Sequence, residues 1–180
     1  QLHAEHLSLR DDVIITGCYD ADAGRAQEFA AKFNAAVYDD VVALYDKTKS
    51  NGAYIAVPPF AHGEYEIEAA ARGLHFFVEK PVSQNLDIAR KIAASVRKAK
   101  VLTSVGYCFR YSDVVQTAQQ ILKGKAISLV VGKYHCGMPE IPWWRRRAMS
   151  GGQLVEQTTH IIDLLLFLCG PVSEVHAMAS

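Results

Sequence analysis

The sequence is poor in the features that mark several special classes of protein. Its four cysteines include no pair with the C-x-x-C spacing of a zinc or redox site, so we expect reduced thiols and no metal centre. The 19 Lys and Arg residues balance 19 Asp and Glu residues, which gives no charge argument for nucleic-acid or membrane binding. The longest apolar run, residues 161–169, is interrupted by Asp163 and is far shorter than a membrane span. No signal peptide is recognisable, and we expect a cytoplasmic protein.

The sequence does contain an alternation of strand-like and helix-like segments. This alternation predicts an α/β fold of the Rossmann type, a doubly wound parallel sheet with helices on both faces. Sheets of this kind bind ligands at the carboxyl ends of their strands, where the sequence places Asp20, Pro58, Glu79 and Arg110. The predicted strands are residues 13–19, 36–38, 53–57, 74–78 and 101–107, and the predicted helices are residues 23–33, 41–47, 62–72 and 85–98.

A second α/β domain is predicted to begin near residue 113. We therefore divide the chain into a first domain, residues 1–112, and the beginning of a second domain, residues 113–180. Both ends are expected to be incomplete, because the first strand and its glycine loop are missing and the second part is too short to close a core. The predicted elements here are helices at 113–122 and 153–168 and strands at 128–135 and 172–178.

Asp20 directly follows the first apolar segment. In dinucleotide-binding folds, an acid at this place accepts hydrogen bonds from the adenosine ribose hydroxyls and lies about 20 residues after the glycine-rich phosphate loop. Counting back from Asp20 places that loop before Gln1. The acid favours NAD, although Arg25 lies one helical turn further on, within reach of the 2′-phosphate of NADP. The alternative is an ordinary surface acid in a turn.

Two further places carry candidate chemistry. Glu79 and Lys80 leave a buried strand together, which indicates either a functional site or a strand-end salt bridge. Glu156 and His160 are four residues apart on the predicted helix 153–168, so they share a face. A carboxylate there orients an imidazole and raises its pKa, which suits a general base, whereas a surface pair or part of a metal site are the alternatives. Gly151 and Gly152 precede this helix and allow a ligand to approach the backbone.

A basic cluster at Arg145, Arg146 and Arg147 follows Trp143 and Trp144. The tryptophans are suited to stacking on a sugar ring, and the arginines to contacting a phosphate. Anchoring of the tryptophans in the core is an equally good interpretation. The cluster is short and the net charge is zero, so it does not indicate a nucleic-acid-binding surface.

Five sequence segments stand out, in this order along the chain: Y-D-A-D-A-G-R-A-Q-E-F-A, Y-I-A-V-P-P-F-A-H, G-L-H-F-F-V-E-K-P-V, S-V-G-Y-C-F-R-Y and S-G-G-Q-L-V-E-Q-T-T-H-I-I-D-L. Together they resemble the glucose–fructose oxidoreductase/inositol dehydrogenase/rhizopine-catabolism (Gfo/Idh/MocA) family. The departures from the family pattern are the absent G-x-G-x-x-G loop, Glu156 where Asp is commoner, and Gln153 in place of a third glycine.

The resemblance implies a Rossmann domain followed by an α/β domain with an open mixed sheet. It implies that Lys80 and His160 are catalytic and that Glu156 is the acid that partners His160. With Asp20 and Arg25, the predicted cofactor-binding set then comprises Pro58, Pro59, His62, Glu79, Lys80 and Arg110.

The resulting hypothesis is an NAD(P)-dependent oxidoreductase that moves a hydride between a nicotinamide cofactor and a secondary alcohol of a sugar, a polyol or a related small molecule. Two alternatives remain: a glycosidase that uses NAD for transient oxidation, and a dinucleotide-binding regulator without catalysis. We expect NAD as cofactor, with NADP also possible, and a small molecule as substrate. We expect no nucleic-acid or membrane partner, and a homo-oligomer for the full-length protein.

Overall fold

A computed structural model describes residues 1–178 of the chain. Within that range, short strands alternate with helices along the first 105 residues, and the remainder is helical or irregular. The helices are α1 (Leu2–Leu7), α2 (Ala23–Phe33), α3 (Val41–Lys47), α4 (Glu64–Ala71), α5 (Leu86–Ala99), α6 (Asp113–Leu122), α7 (Arg147–Ser150), α8 (Gln153–Glu156) and α9 (Thr159–Cys169). The strands are β1 (Gly17–Cys18), β2 (Ala36–Val37), β3 (Gly52–Ile55), β4 (His75–Val78) and β5 (Thr103–Val105), and 3₁₀ turns cover Pro59–Ala61 and Cys108–Tyr111.

The strands pair in two sheets. Strand β1 runs parallel to β2, with Gly17 opposite Ala36 and Cys18 opposite Val37. Strands β3, β4 and β5 form a second sheet in that order. A helix lies between each strand and the next along the chain, which is the connection that parallel strands require. The predicted α/β class is confirmed.

The chain folds into two compact units, each assembled from separate segments. The first unit comprises Gln1–Ile55, Gly63–Phe77 and Lys91–Thr103, and the second comprises Ala56–His62, Val78–Arg90 and the chain from Ser104 onward. These units interleave along the chain, because the segments that follow β3 and β4 belong to the second unit. The sequence boundary near residue 112 is a different division, and it stays a prediction.

The buried side chains of the two units differ in character. In the first unit they are mainly apolar, with alanines on α1, α2 and α4 and larger side chains such as Tyr45 on α3, Ile92 on α5, and Ile55 and Phe76 on the strands. Burial of such side chains is the main stabilising contribution to the fold. In the second unit, many of the buried side chains that the structure describes are polar. Beside the apolar Val78 and Trp144 they are His62, Ser150, Glu156, His160 and Asp163.

Local capping explains why several helices begin where the sequence predicts. The carboxylate of Asp22 accepts the Arg25 backbone N–H at 3.1 Å, and that of Asp40 accepts the Ala43 backbone N–H at 2.7 Å. These side chains satisfy backbone donors that have no partner inside the helix. Helices α2 and α3 accordingly have the predicted bounds, residue for residue.

Three predicted elements are absent or divided in the structure, and the strand predicted at residues 13–19 is reduced to Gly17–Cys18. Residues 128–135 and 172–178 were predicted as strands, but both segments are irregular. Side chains such as Leu129 and Val131 are 80% and 72% exposed, because no neighbouring strand within residues 1–178 pairs with this segment. The predicted helix 153–168 is divided into α8 and α9, because the backbone turns at Gln157 and Thr158. Across residues 1–178, no helix is both long and apolar enough to cross a bilayer.

Candidate active site

The second unit contains a buried ion pair between Lys80 and Glu156. Strand β4 ends at Val78, so Glu79 and Lys80 leave the sheet together. The Lys80 ammonium group donates to the Glu156 carbonyl oxygen at 2.7 Å and to Glu156 Oε1 at 2.8 Å. The two side chains are only 15% and 7% exposed. Burying two charges is costly unless they are paired and hydrogen-bonded, so this contact fixes the position of both groups.

Glu79 lies against the end of the neighbouring strand. Its Oε2 atom accepts the backbone N–H of Lys80 at 3.1 Å. A Cβ atom added to Gly106 would lie 2.6 Å from the same oxygen, so only glycine leaves room for this carboxylate. The Gly106 N–H donates to the Val78 carbonyl at 2.9 Å, which extends the pairing of β4 beyond β5. Gly106 and the backbone of Lys80 therefore hold the Glu79 carboxylate at this edge of the sheet.

The predicted pairing of Glu156 with His160 is wrong. The i, i+4 argument assumed one continuous helix, but α8 ends at Glu156 and α9 begins at Thr159. The Glu156 carboxylate binds Lys80 through Oε1, and its Oε2 is buried without a hydrogen-bond partner among the described residues. Gly151 and Gly152 precede α8 with φ angles of +77° and +85°, values that L side chains rarely adopt.

His160 is buried at the first turn of α9. The Phe109 ring stacks on the imidazole at a centroid distance of 4.5 Å, and Tyr107 contacts it edge-on at 6.1 Å. Its Nδ1 atom is buried and has no hydrogen-bond partner within residues 1–178. Burial lowers the pKa of His160, and the positive charge of Lys80 lowers it further, against the opposing effects of Asp163 and Glu79. The sequence predicted a raised pKa, so this expectation is wrong in sign, although a neutral imidazole still suits a general base.

Arg110 was predicted to contact the cofactor, and the structure places its guanidinium on a buried acid. Its Nε donates to Asp163 Oδ2 at 2.7 Å, and an Nη donates to Asp163 Oδ1. The guanidinium carbon also lies 5.0 Å from the centre of the Phe167 ring. This fork joins the segment after β5 to α9, one turn beyond His160. A contact between Arg110 and the cofactor stays a prediction. Because Nε and one Nη of Arg110 bind Asp163, such a contact would use the other Nη.

Several polar residues beside the ion pair were missed by the sequence argument. The Tyr107 and Thr159 hydroxyls share a hydrogen bond of 3.1 Å, and the Tyr134 hydroxyl donates to Gln157 Oε1 at 2.8 Å. Thr159 and Gln157 flank the break between α8 and α9, so both bonds hold this turn in place. Only Asp163 carried a signal in the sequence, as the single acid within a long apolar run.

The remaining predicted cofactor residues lie in two places. In the first unit, Asp20 follows β1 and accepts from Arg25 Nη2 at 2.8 Å and from the Asp22 backbone N–H at 2.8 Å. Partial burial raises the pKa of Asp20, but these hydrogen bonds outweigh that effect and hold it below its ordinary value. In the second unit, Pro58, Pro59 and His62 form the 3₁₀ turn after β3 and its flanks, with Pro59 and His62 buried.

Two family models match this chain. The family described as "Oxidoreductase family, NAD-binding Rossmann fold" matches residues 1–107. The GFO/IDH/MocA C-terminal domain matches residues 115–180. The chain belongs to the Gfo/Idh/MocA family. The predicted resemblance and the Rossmann-type fold are thereby confirmed, and the N-terminal match is to an NAD-binding domain.

Individual relatives are similar to this member along most of its length. D-glucoside 3-dehydrogenase of Escherichia coli is 25% identical over 94% of this chain and 50% of the relative. Glucose-6-phosphate 3-dehydrogenase of Bacillus subtilis is 27% identical over 92% of this chain and 49% of the relative. The WlbA dehydrogenase of Bordetella pertussis, solved with NADH and UDP-GlcNAcA, superposes with a TM-score of 0.82 at 18% identity and shares the fold, over 94% of this chain and 54% of that one. The chain thus spans about half the length of the curated relatives it matches.

Each unit, taken by itself, has polar groups that are suited to a ligand: Asp20 to the ribose of a nicotinamide dinucleotide, and the orphan atoms of the second unit to a substrate. Asp20 keeps a side chain that is 38% exposed and ionised, which suits an acceptor for ribose hydroxyls. In the second unit, Glu156 Oε2 and His160 Nδ1 are buried polar atoms without a partner among the described residues. Buried polar atoms are nearly always hydrogen-bonded, so exceptions of this kind are typical of sites that receive a ligand.

Proposed function

We propose that the intact protein is an NAD(P)-dependent dehydrogenase that removes a hydride from a secondary alcohol of a sugar, a polyol or a related small molecule. The observation that carries this proposal is the buried ion pair between Lys80 Nζ and Glu156 Oε1, in the same unit as the buried His160, whose pKa is lowered by burial and by the charge of Lys80. Two buried atoms of this unit, Glu156 Oε2 and His160 Nδ1, have no hydrogen-bond partner within residues 1–178. A purely structural ion pair would not account for these two atoms. A substrate hydroxyl would supply such a partner.

Lys80 has the role of stabilising negative charge on the substrate oxygen. An ammonium group has three donors, and Lys80 uses two of them on Glu156. We propose that the third donates to the substrate oxygen. Glu156 therefore aims the ammonium group, and the fixed positive charge stabilises an alkoxide as it develops.

His160 has the role of accepting the hydroxyl proton. Its lowered pKa keeps the imidazole neutral near pH 7, so it is ready to act as a base. Stacking on Phe109 fixes the plane of the ring, and no carboxylate is bonded to Nδ1 in the described part of the chain. The ring plane is thus set by packing rather than by the acid that the sequence predicted.

The bound nicotinamide would supply the hydride acceptor. We propose that Asp20 holds the adenosine ribose, with Arg25 beside it, and that Pro58, Pro59, His62, Glu79 and Lys80 line the rest of the cofactor. We also propose the two-domain division near residue 112 and a homo-oligomeric full-length protein.

The proposal is tested by incubating the full-length protein with NAD⁺ and a panel of sugars and polyols while absorbance at 340 nm is followed. A dehydrogenase accumulates reduced cofactor in proportion to substrate consumed. A glycosidase that oxidises only transiently consumes substrate without net reduction, and a regulator binds cofactor and consumes nothing. Either of those two results would replace the proposed function.

A further inference from the structure

The three consecutive arginines before the candidate active site are not used by the proposed mechanism. Arg145, Arg146 and Arg147 are all exposed. Among residues 1–178, no carboxylate lies within ion-pair distance of any of the three, whereas several other arginines of the chain bind an acid. Adjacent guanidinium groups without an acidic partner repel one another, so this arrangement does not stabilise the fold. An anionic ligand would relieve the repulsion.

The backbone places Arg147 beside the turn that leads to Glu156. The Arg147 carbonyl accepts the Gly151 N–H at 2.8 Å, and the Gly152 carbonyl accepts the Glu156 N–H at 3.0 Å. A Cβ atom added to Gly152 would meet only Arg147 Cγ, at 4.0 Å. The Arg147 stem therefore lies against Gly152, and the space above this glycine is otherwise open.

The Arg147 stem lies against Gly152, and Gly152 precedes by one helical turn the Glu156 that pairs with Lys80. This separation of four residues is a rise of roughly 6 Å along a helix. The arginine side chain continues beyond Cγ to its guanidinium, so a guanidinium turned towards the ion pair would reach a substituent of a sugar bound there. Glu156 is the only carboxylate between residues 141 and 160, and Lys80 neutralises it, so this stretch of the chain carries a net positive charge.

We propose that the substrate is a sugar that carries a phosphoryl group, and that Arg147 binds this group. The planar fork of arginine matches phosphate oxygens, and neighbouring Arg145 and Arg146 add positive potential that attracts a dianion. The open backbone at Gly152 leaves room for the sugar between the phosphoryl group and the ion pair. This inference rests on the proposed function, since it specifies the substrate class of the same site.

The test uses the full-length protein saturated with NADH, so that the phosphate sites of the cofactor are filled and no oxidation occurs. D-glucose 6-phosphate and D-glucose are titrated separately by calorimetry at equal ionic strength. We expect the phosphorylated sugar to bind at least 10-fold more tightly, as is typical of a charge-assisted contact. Arg147→Met should remove most of that advantage, and Arg147→Lys should restore part of it. Arg97→Met is the matched control, because Arg97 is exposed on α5 and binds no acid in the described chain.

Equal affinities for the two sugars would overturn the inference. So would a higher affinity for the phosphorylated sugar that persists in Arg147→Met, or a failure of both sugars to bind. None of these outcomes depends on turnover. Oxidation of a neutral sugar by a protein that shows no phosphate preference would leave the proposed function in place and remove only this inference.

Discussion

At the residue scale, the partner of each charged group decides the chemistry. The sequence placed Lys80, Glu156 and His160 in one site from the order of their motifs, and the structure brings the first two into contact. Spacing alone assigned Glu156 to His160, because it could not show that the helix breaks at Gln157 and that Glu156 instead binds Lys80. Asp163 and Phe109 escaped prediction for a similar reason, since their contacts with Arg110 and His160 cross more than 50 residues of chain.

Lys80 and Glu156 should behave as one unit in catalysis. Lys80→Met should lower kcat by about 10²–10³, because a positioned charge is lost, and Glu156→Gln should lower it by releasing the ammonium group. The double variant should be little worse than Lys80→Met alone, since residues that act together are not additive. Steady-state kinetics at saturating cofactor measures this, with Lys91→Met on α5 as an exposed control. Losses in the double variant that equal the product of the single losses would show that the two residues work independently.

His160 should give alcohol oxidation an acid limb below the ordinary histidine pKa. Burial and the charge of Lys80 lower the pKa of His160 from the ordinary histidine value, so the rate should fall only at a pH below that ordinary value. Because the imidazole binds a proton less readily in the folded protein than in the unfolded chain, the free energy of unfolding also decreases as pH falls below the ordinary histidine pKa. Histidine NMR titration of the full-length protein measures the pKa directly. Lys80→Met should raise it by removing a nearby positive charge, and a His160 pKa unaffected by Lys80→Met would contradict this account.

At the element scale, the helices were easier to predict than the strands. Asp22 and Asp40 cap α2 and α3 through contacts within four residues, so the signals are local and the bounds are right. A strand depends on a neighbour elsewhere in the chain, and residues 128–135 lack one within residues 1–178. The break between α8 and α9 was missed because tertiary hydrogen bonds, such as Tyr134 to Gln157, hold it.

Gly151 should be essential to the turn before α8. Its φ is +77°, and a Cβ atom there would lie 2.9 Å from the Val155 side chain. Gly151→Ala should therefore destabilise the fold by about 1–2 kcal/mol, from left-handed strain and the close contact. Gly137→Ala is the control, because a Cβ there meets nothing within 4 Å. Urea unfolding compares the two variants, and equal midpoints would mean that the turn tolerates a side chain.

At the scale of the whole molecule, the two compact units interleave along the chain. The segments that follow β3 and β4 carry the candidate chemistry, because the carboxyl ends of parallel strands are where such folds place ligands. The sequence could predict this from alternation alone. It could not assign the substrate, which depends on side chains brought together from distant segments.

The intact protein should prefer NAD to NADP. The ionised Asp20 carboxylate repels a 2′-phosphate and accepts from a free hydroxyl, and Arg25 is already bound to it. We expect kcat/KM to favour NAD at least tenfold, in line with a single repelled charge, and Asp20→Asn to narrow the ratio. Asp12→Asn, an exposed acid bound to Arg10, serves as the control. A wild-type preference for NADP would reverse the assigned role of Asp20.

The central claim is that this protein removes a hydride from a carbinol carbon with His160 as base and Lys80 as charge stabiliser. The most direct measurement follows deuterium from a substrate labelled at the reacting carbon into the reduced cofactor of the full-length enzyme, by mass spectrometry. We predict stoichiometric transfer in the wild type, and a rate lowered by about 10²–10⁴ in His160→Asn. Reduced cofactor without the label, or an undiminished rate in His160→Asn, would contradict the account.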